Sequence, residues 1–363
     1  MGRWKIGSLT AAIGCIAVGV VIVLAQFDKI SYDVLGFLWP ALLIVFGLEM
    51  LTRLMIRSDA KTRVSGWAIV LIIVLIGASA GESMLSGGTV KSLLGNMELT
   101  PVSGNLEVKP EIRKVRISLP DGKVKVEGVA GSSVQYEGSL LVPGNTPEEA
   151  QRSLVKKWKA GIEGDTLVLE MEAEVNWLAG LHFGFNSQNP YLNVSVPGNL
   201  EVEIVTSNGS IEAMELNSGL SAVTSNGTMD LHDIAGGVEG HSSNGSLKAR
   251  NIQGGIELVS SNGSITAEQI DGDVTAKSSN GKISADSAIS GDWNFKTSNG
   301  KVELELPKNA DAKIAAETSN GSFKGNVSWE KDGDDQANLV LGNGTHVVEI
   351  STSNGSVSVD TTD

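Results

Sequence analysis

From Ile211 to Leu304 apolar and polar residues alternate in short runs, and the runs themselves recur. One apolar column reads Ile211, Met229, Leu247, Ile265, Ile283 and Val302. Two residues further on stand Ala213, Leu231, Ala249, Ala267, Ala285 and Leu304, and a third column is Leu216, Ile234, Ile252 and Ile270. The second half of each unit gives Leu220, Val238, Ile256, Val274 and Trp293, followed two later by Ala222, Gly240, Leu258, Ala276 and Phe295. Period two within each half predicts two short strands, each with one face inward. Glu212, Asp230, Lys248, Thr266 and Ser284 fall between the columns and are expected to face water.

The tripeptide Ser-Asn-Gly sets the period. Its asparagines are Asn208, Asn226, Asn244, Asn262, Asn280, Asn299, Asn320 and Asn354; the first four intervals are each 18 residues, then 19, 21 and 34. A repeat of this length that cannot bury its apolar face alone must stack on its neighbours. The predicted fold is therefore all-β: a parallel β-solenoid (β-helix or β-roll) of 18-residue coils, with identical side chains piled about 4.8 Å apart. Asn-Gly suits the turn because both residues accept positive φ, and the stacked asparagines are expected to hydrogen-bond along the axis. The Ser/Thr column Thr224, Ser242, Ser260, Ser278 and Thr297 is expected to turn inward beside them, with Gly219, Gly237 and Gly255 marking the opposite turn.

Ahead of the repeat, residues 102–200 read as an N-terminal cap with the first coils. Val115–Leu119, Lys123–Val126 and Thr166–Met171 alternate as strands. Thr146-Pro147-Glu148-Glu149 opens a helix over about 146–159, with Thr as N-cap and Pro in the first turn; Leu154, Val155 and Trp158 are expected to face the sheet. Residues 87–101 read as a linker, and 201–363 as the regular coils with a C-terminal cap.

Residues 1–86 differ in kind. Three apolar segments, at about 6–27, 34–56 and 66–85, each have the length that crosses a hydrocarbon layer. Arg3 and Lys5 precede the first, Arg53, Arg57, Lys61 and Arg63 follow the second, and the first loop has only Lys29 beside Asp28 and Asp33. The positive-inside rule then puts the N-terminus in the cytoplasm and residues 87–363 outside, in a multi-pass protein of the cell membrane. Glu49 lies four residues before Arg53, the spacing of a helical ion pair.

Charge sharpens the division: the balance is +2 up to Ser86 and −16 beyond it. So acidic a body repels polyanions and argues against nucleic acid. The single cysteine, Cys15, excludes disulfides. Calcium-binding β-rolls share the coil length, but they need Gly-Gly-x-Gly-x-Asp in every half-coil, and Asp230, Asp233, Asp271 and Asp273 are sporadic. Asn-Gly-Ser/Thr also fits glycosylation acceptors, although the turn role explains the same residues. His182, His232, His241 and His346 show no metal spacing, and no nucleophile, P-loop or dinucleotide motif occurs. No enzyme and no cofactor are expected. In a chain with only 5% aromatic residues, Trp177, Phe183 and Phe185 cluster with glycines over Asn176–Phe185. They are a folded-over loop or a partner-binding patch.

Two resemblances follow from particular residues. Leu35-Gly36-Phe37-Leu38-Trp39-Pro40 and Ala41–Gly47 resemble the Lia-type membrane region of Firmicute envelope-stress proteins, in which a Trp-Pro opens the second helix. Leu119-Pro120-Asp121-Gly122-Lys123-Val124, the Pro147–Ala150 helix start, Tyr191–Pro197 running into Glu203-Ile204-Val205, and the Ser-Asn-Gly coils resemble the bacterial β-strand-repeat family provisionally called adhesins, of unknown function. Membrane lipid, met through the three helices, and a cell-envelope protein or cell-wall component, met by the solenoid, are the partners expected. Surface binding, modulation of envelope-stress signalling through a sensor kinase, and a spacer rod are the functions to be weighed.

Overall fold

A computed structural model describes residues 97–172 and 189–362, with Ile44 alone before them. The chain divides into two compact units, Met1–Asn96 and Met97–Asp363. The apolar segments at 6–27, 34–56 and 66–85 lie outside the described residues, apart from Ile44. Among the described residues no helix is long and apolar enough to cross a membrane.

The second unit opens with β1 (Met97–Glu107), β2 (Lys114–Asp121), β3 (Lys123–Val129) and β4 (Ser133–Pro143). The only helix among its described residues follows, α1 (Pro147–Lys157), and then β5 (Trp158–Glu163), β6 (Thr166–Met171), β7 (Tyr191–Pro197), β8 (Glu201–Asn208) and β9 (Ile211–Leu216). The regular coils are β10 (Leu220–Thr224) with β11 (Met229–Ile234), β12 (Val238–Ser242) with β13 (Leu247–Ile252), and β14 (Ile256–Ser260) with β15 (Ile265–Ile270). They continue in β16 (Val274–Ser278) with β17 (Ile283–Asp286), and β18 (Trp293–Thr297) with β19 (Val302–Pro307). The end is built from β20 (Ala312–Thr318), β21 (Phe323–Lys324), β22 (Glu330–Asp332), β23 (Gln336–Leu341), β24 (His346–Thr352) and β25 (Val357–Thr362).

These strands form two facing sheets, of twelve and thirteen strands, with parallel pairing through the coils. The register is 18 residues wherever the sequence spacing is 18, as in Met229 opposite Leu247 and Leu247 opposite Ile265. Every member of the five apolar columns is buried, Gly240 included. The third column needs an explanation, because Leu216 lies three residues after Ala213 and plain alternation would turn it outward. Glu215, Asp233, Asn251 and Gln269 take φ between 53° and 59°, the left-handed region. Each such residue resets the alternation, so that Leu216, Ile234, Ile252 and Ile270 re-enter the core at 0–3% exposure.

The turn at Ser-Asn-Gly works differently from the expectation. Its glycines do not have positive φ; that conformation belongs to the four residues above and to other glycines, such as Gly122 and Gly272. Close approach is the reason for glycine. A Cβ on Gly227, Gly245 or Gly263 would lie 1.7, 1.6 or 1.8 Å from the carbonyl oxygen of the corresponding glycine one coil earlier. The requirement is imposed by stacking and is absent from an isolated turn.

The order of coils is also not the order of the chain. The β2–β3 coil sits between β6–β7 and β8–β9, and the last coil, β24–β25, sits between β18–β19 and β20–β21. Both ends are therefore interlocked. Antiparallel strands close the sheets: β1–β4 and β5–β6 at one end, β20–β23–β22 at the other. Such closure limits the exposed edges on which another chain could add. β1 begins at Met97, inside the stretch 87–101 read as linker. Its Pro101 is compatible with a strand because β1 is an edge, where a missing N–H costs no ladder bond.

The helix runs Pro147–Lys157, capped by Thr146, whose Oγ1 accepts from the Glu149 N–H at 3.3 Å. It buries Ala150 and Leu154 but leaves Val155 73% exposed, so Val155 does not face the sheet. One helical step turns a side chain by about 100°, which carries position 155 off the face shared by 150 and 154. Trp158 starts β5 instead of ending the helix, and its ring lies 5.7 Å from that of Tyr136.

Candidate interaction surface

Three sets of side chains follow the stack of coils, each set by the register. The first is the asparagine ladder. Asn226 donates from Nδ2 to Asn208 Oδ1 at 2.8 Å, and the pattern repeats from Asn244, Asn262, Asn280 and Asn299 at 2.7–2.8 Å. Asn354 then donates to Asn299 at 2.7 Å and Asn320 to Asn354 at 2.9 Å, the exchange of the last two following from the interlocked coil. Every amide N–H points one way, and Asp121 accepts the final bond from Asn208 at 2.7 Å. Asp121 and Asn208 are paired in register, and a carboxylate is the apt terminal acceptor for a row of donors. Sequence spacing had not placed Asp121 in this row, because the β2–β3 coil is out of chain order.

Behind the ladder stands the buried hydroxyl column. Ser242 Oγ accepts from Gly245 N–H at 2.8 Å and donates to Gly227 carbonyl at 3.2 Å, tying each turn to the one before. Ser260 repeats this with Gly263 and Gly245 at 2.9 and 3.1 Å. The two layers should respond unequally. Asn262→Ala breaks two bonds at an exposed site and is expected to cost about 1–2 kcal/mol, whereas Ser260→Ala strands a buried donor and acceptor and should cost about 2–4 kcal/mol. Urea unfolding of the full chain in detergent, read by circular dichroism, gives the comparison.

The second line lies on the outer face of the thirteen-stranded sheet. Val205, Val223, His241 and Val259 occupy one position in successive coils. Val205 and Val223 are 36% and 38% exposed, and Glu203, Ser221, Glu239 and Glu257 form the adjacent row. A glycine corner, with Gly219, Gly237 and Gly255 in line, leaves an open groove beside Glu239, Glu257 and Asp273. The third line is ionic, on the twelve-stranded sheet: Lys123 to Glu212 at 2.5 Å, Lys248 to Glu268 at 2.9 Å, and Glu303 held by Lys282 and Lys301. Among the described residues no group of three His, Cys, Asp or Glu is placed to hold a metal ion. His232 and His241 pair separately, with Asp233 and Glu239.

The lysine partners depress their carboxylates. Lys123 holds Glu212 below the ordinary 4.5, Lys282 does so for Glu303, and on the other sheet Lys114 does so for Glu203. A depressed carboxylate contributes stability that is present above its unfolded value and lost as pH falls through the folded one. The urea midpoint should therefore hold steady at neutral pH and decline once pH drops below about 4.5. Glu303→Gln should flatten that decline; an unchanged slope would remove Glu303 from the account.

Trp177, Phe183 and Phe185, the partner-binding residues expected from sequence, lie outside the described residues, as do Cys15, Glu49 and His182.

Two parallel sheets closed into stacked coils, with antiparallel ends, define a β-solenoid module. The chain belongs to the Toastrack DUF4097 family, which matches residues 145–360. The LiaI-LiaF-like transmembrane region matches residues 9–51 and implies membrane association. Similar solved structures include a protein of Clostridium sporogenes provisionally described as a cell adhesion protein, at 15% identity and TM-score 0.26, covering 72% of this chain and 100% of that one. Another is a provisional adhesin of Bacteroides fragilis, at 12% identity and TM-score 0.45, covering 72% and 97%. A third is a provisional lipid-binding protein of Parabacteroides distasonis, at 16% identity and TM-score 0.38, covering 73% and 97%. No curated protein matches the chain.

Proposed function

We propose that this is a non-catalytic surface protein anchored by three transmembrane helices (about 6–27, 34–56 and 66–85), with its N-terminus cytoplasmic and residues 87–363 extracytoplasmic. Its solenoid binds a cell-envelope protein or cell-wall component. The observation that supports this most is the union, in one chain, of a LiaI-LiaF-like membrane region with a Toastrack solenoid. The repeated outer rows, half-exposed valines beside carboxylates, offer an extended surface instead of an enclosed site. Trp177, Phe183 and Phe185 are proposed as additional contacts.

The membrane-region match favours a second reading, in which the helices modulate an envelope-stress sensor kinase. Expressing residues 1–86 alone, beside the full chain, separates the two. On the binding reading the fragment leaves a stress reporter untouched, and protease added to intact cells cleaves the full chain within 97–362. Full reporter regulation by the fragment would move the function to the helices, and complete protease resistance would overturn the topology.

A further inference from the structure

The eight Ser-Asn-Gly sites are nearly one sequence: Ser precedes every Asn, Gly follows, and Thr or Ser stands three residues before each Gly. Asn-Gly is the dipeptide most open to spontaneous deamidation, since glycine puts no side chain in the way of ring closure. Six of the eight sites are locked against it. At Gly227, Gly245, Gly263, Gly281, Gly300 and Gly355 the backbone N–H, the nucleophile of that reaction, donates to a buried Ser or Thr hydroxyl at 2.8–3.2 Å. The preceding asparagine amide is bound on both sides by its neighbours in the ladder. A bound, buried N–H is neither readily deprotonated by water nor free to swing toward the side chain.

Two sites differ. At Asn208 the Thr206 hydroxyl is buried without a partner, so it does not hold Gly209; yet Gly209 is buried, and Asn208 is still tied to both Asp121 and Asn226. At Asn320 both restraints are missing. Thr318 Oγ1 donates to Gly355 carbonyl at 2.8 Å, and the Gly321 N–H has no acceptor among the described residues. Gly321 is also the one exposed glycine of the eight, and the side chain of Asn320, last in the ladder, keeps only the bond it donates to Asn354, while its backbone N–H donates to the Ser353 carbonyl at 2.8 Å.

We propose that Asn320 is a built-in deamidation site, and that the ladder protects the other asparagines from the same reaction. The Gly321 nitrogen loses its proton to water and attacks Asn320 Cγ. The new N–Cγ bond replaces Cγ–Nδ2, and ammonia leaves, carrying the proton returned by the solvent. Water then opens the cyclic imide at either carbonyl, to aspartate or isoaspartate, with no oxidant or reductant involved. The product ends the ladder with a carboxylate facing Asn354 Oδ1, an acceptor against an acceptor, at the solenoid end furthest from Asp121. Deamidation at this position loosens the last coil first and leaves the interior in register.

The test is peptide mapping by mass spectrometry of the full chain in detergent, aged in mildly alkaline buffer, with a parallel sample in urea. In urea the eight sites should convert at similar rates. Folded, Asn320 should convert at least roughly tenfold faster than the six locked sites, the worth of one hydrogen bond held or lost. Equal rates at Asn320 and Asn262 in the folded chain would overturn the proposal. Ser260→Ala, which frees the Gly263 N–H, should raise conversion at Asn262 toward that of Asn320. Thr297→Ser, which keeps a hydroxyl, should leave Asn299 protected. Conversion at Asn262 unchanged by Ser260→Ala, in a protein that retains its β-sheet signal, would equally count against the hydroxyl lock.

Discussion

Gly245→Ala is expected to split the solenoid. The added Cβ would stand 1.6 Å from the Gly227 carbonyl oxygen and 2.4 Å from its carbon, both backbone atoms that no rotamer change can move. Either the coils part or the ladder breaks at Asn226–Asn244, and the expected loss is about 4 kcal/mol or more, the range reserved for severe packing faults. Gly219→Ala is the control. Its Cβ would meet nothing nearer than the Gly237 carbonyl oxygen at 3.5 Å, so the change should fall within about 0.5 kcal/mol of neutral, helped by the lower entropy of an unfolded alanine. Urea midpoints of the two full-length variants decide the matter. Equal midpoints would mean that the stacked glycines tolerate a wider spacing than the structure shows.

Removing residues 346–363 should damage more of the molecule than an end usually does. In a simple solenoid the terminal coil touches one neighbour, and its loss costs one interface. Here β24 and β25 are inserted between two coils, with Val348 opposite Trp293 on one side and Ile314 on the other. Deletion leaves β18 and β20 about 10 Å apart, twice the strand spacing, with both edges unpaired. It also removes Val347, whose N–H donates to the Asp292 carboxylate at 2.9 Å, and His346, whose N–H donates to the Asp311 carbonyl at 3.3 Å. Hydrogen exchange should rise across both 293–307 and 312–341. Protection retained at 312–318 would show β20 re-pairing on β18, and would make the interlock dispensable.

The sequence carried the repeat unusually well, for a physical reason. Each coil meets the same environment above and below, so the same residue is favoured at the same position, and the period is written directly in Ile211, Met229, Leu247, Ile265 and Ile283. The inward hydroxyls at Ser242 and Ser260 were legible for the same reason, being polar residues in a column that alternation points inward. Resemblance supplied the family, which the match over 145–360 then established.

Other features depended on distance between residues remote in the chain. The reason for glycine at 245 is the carbonyl of residue 227, and local turn chemistry pointed instead to positive φ, which the fold gives to Glu215, Asp233, Asn251 and Gln269. Asp121 joins the ladder 87 residues before Asn208, and Asn354 precedes Asn320 in it, because both end coils are inserted out of order. Local alternation and an 18-residue period fixed what each coil is made of. Only the tertiary structure decided how the end coils are threaded, since a strand pair presents the same ladder of hydrogen bonds to any neighbour in register and the pattern of one coil does not say which coil lies next to it.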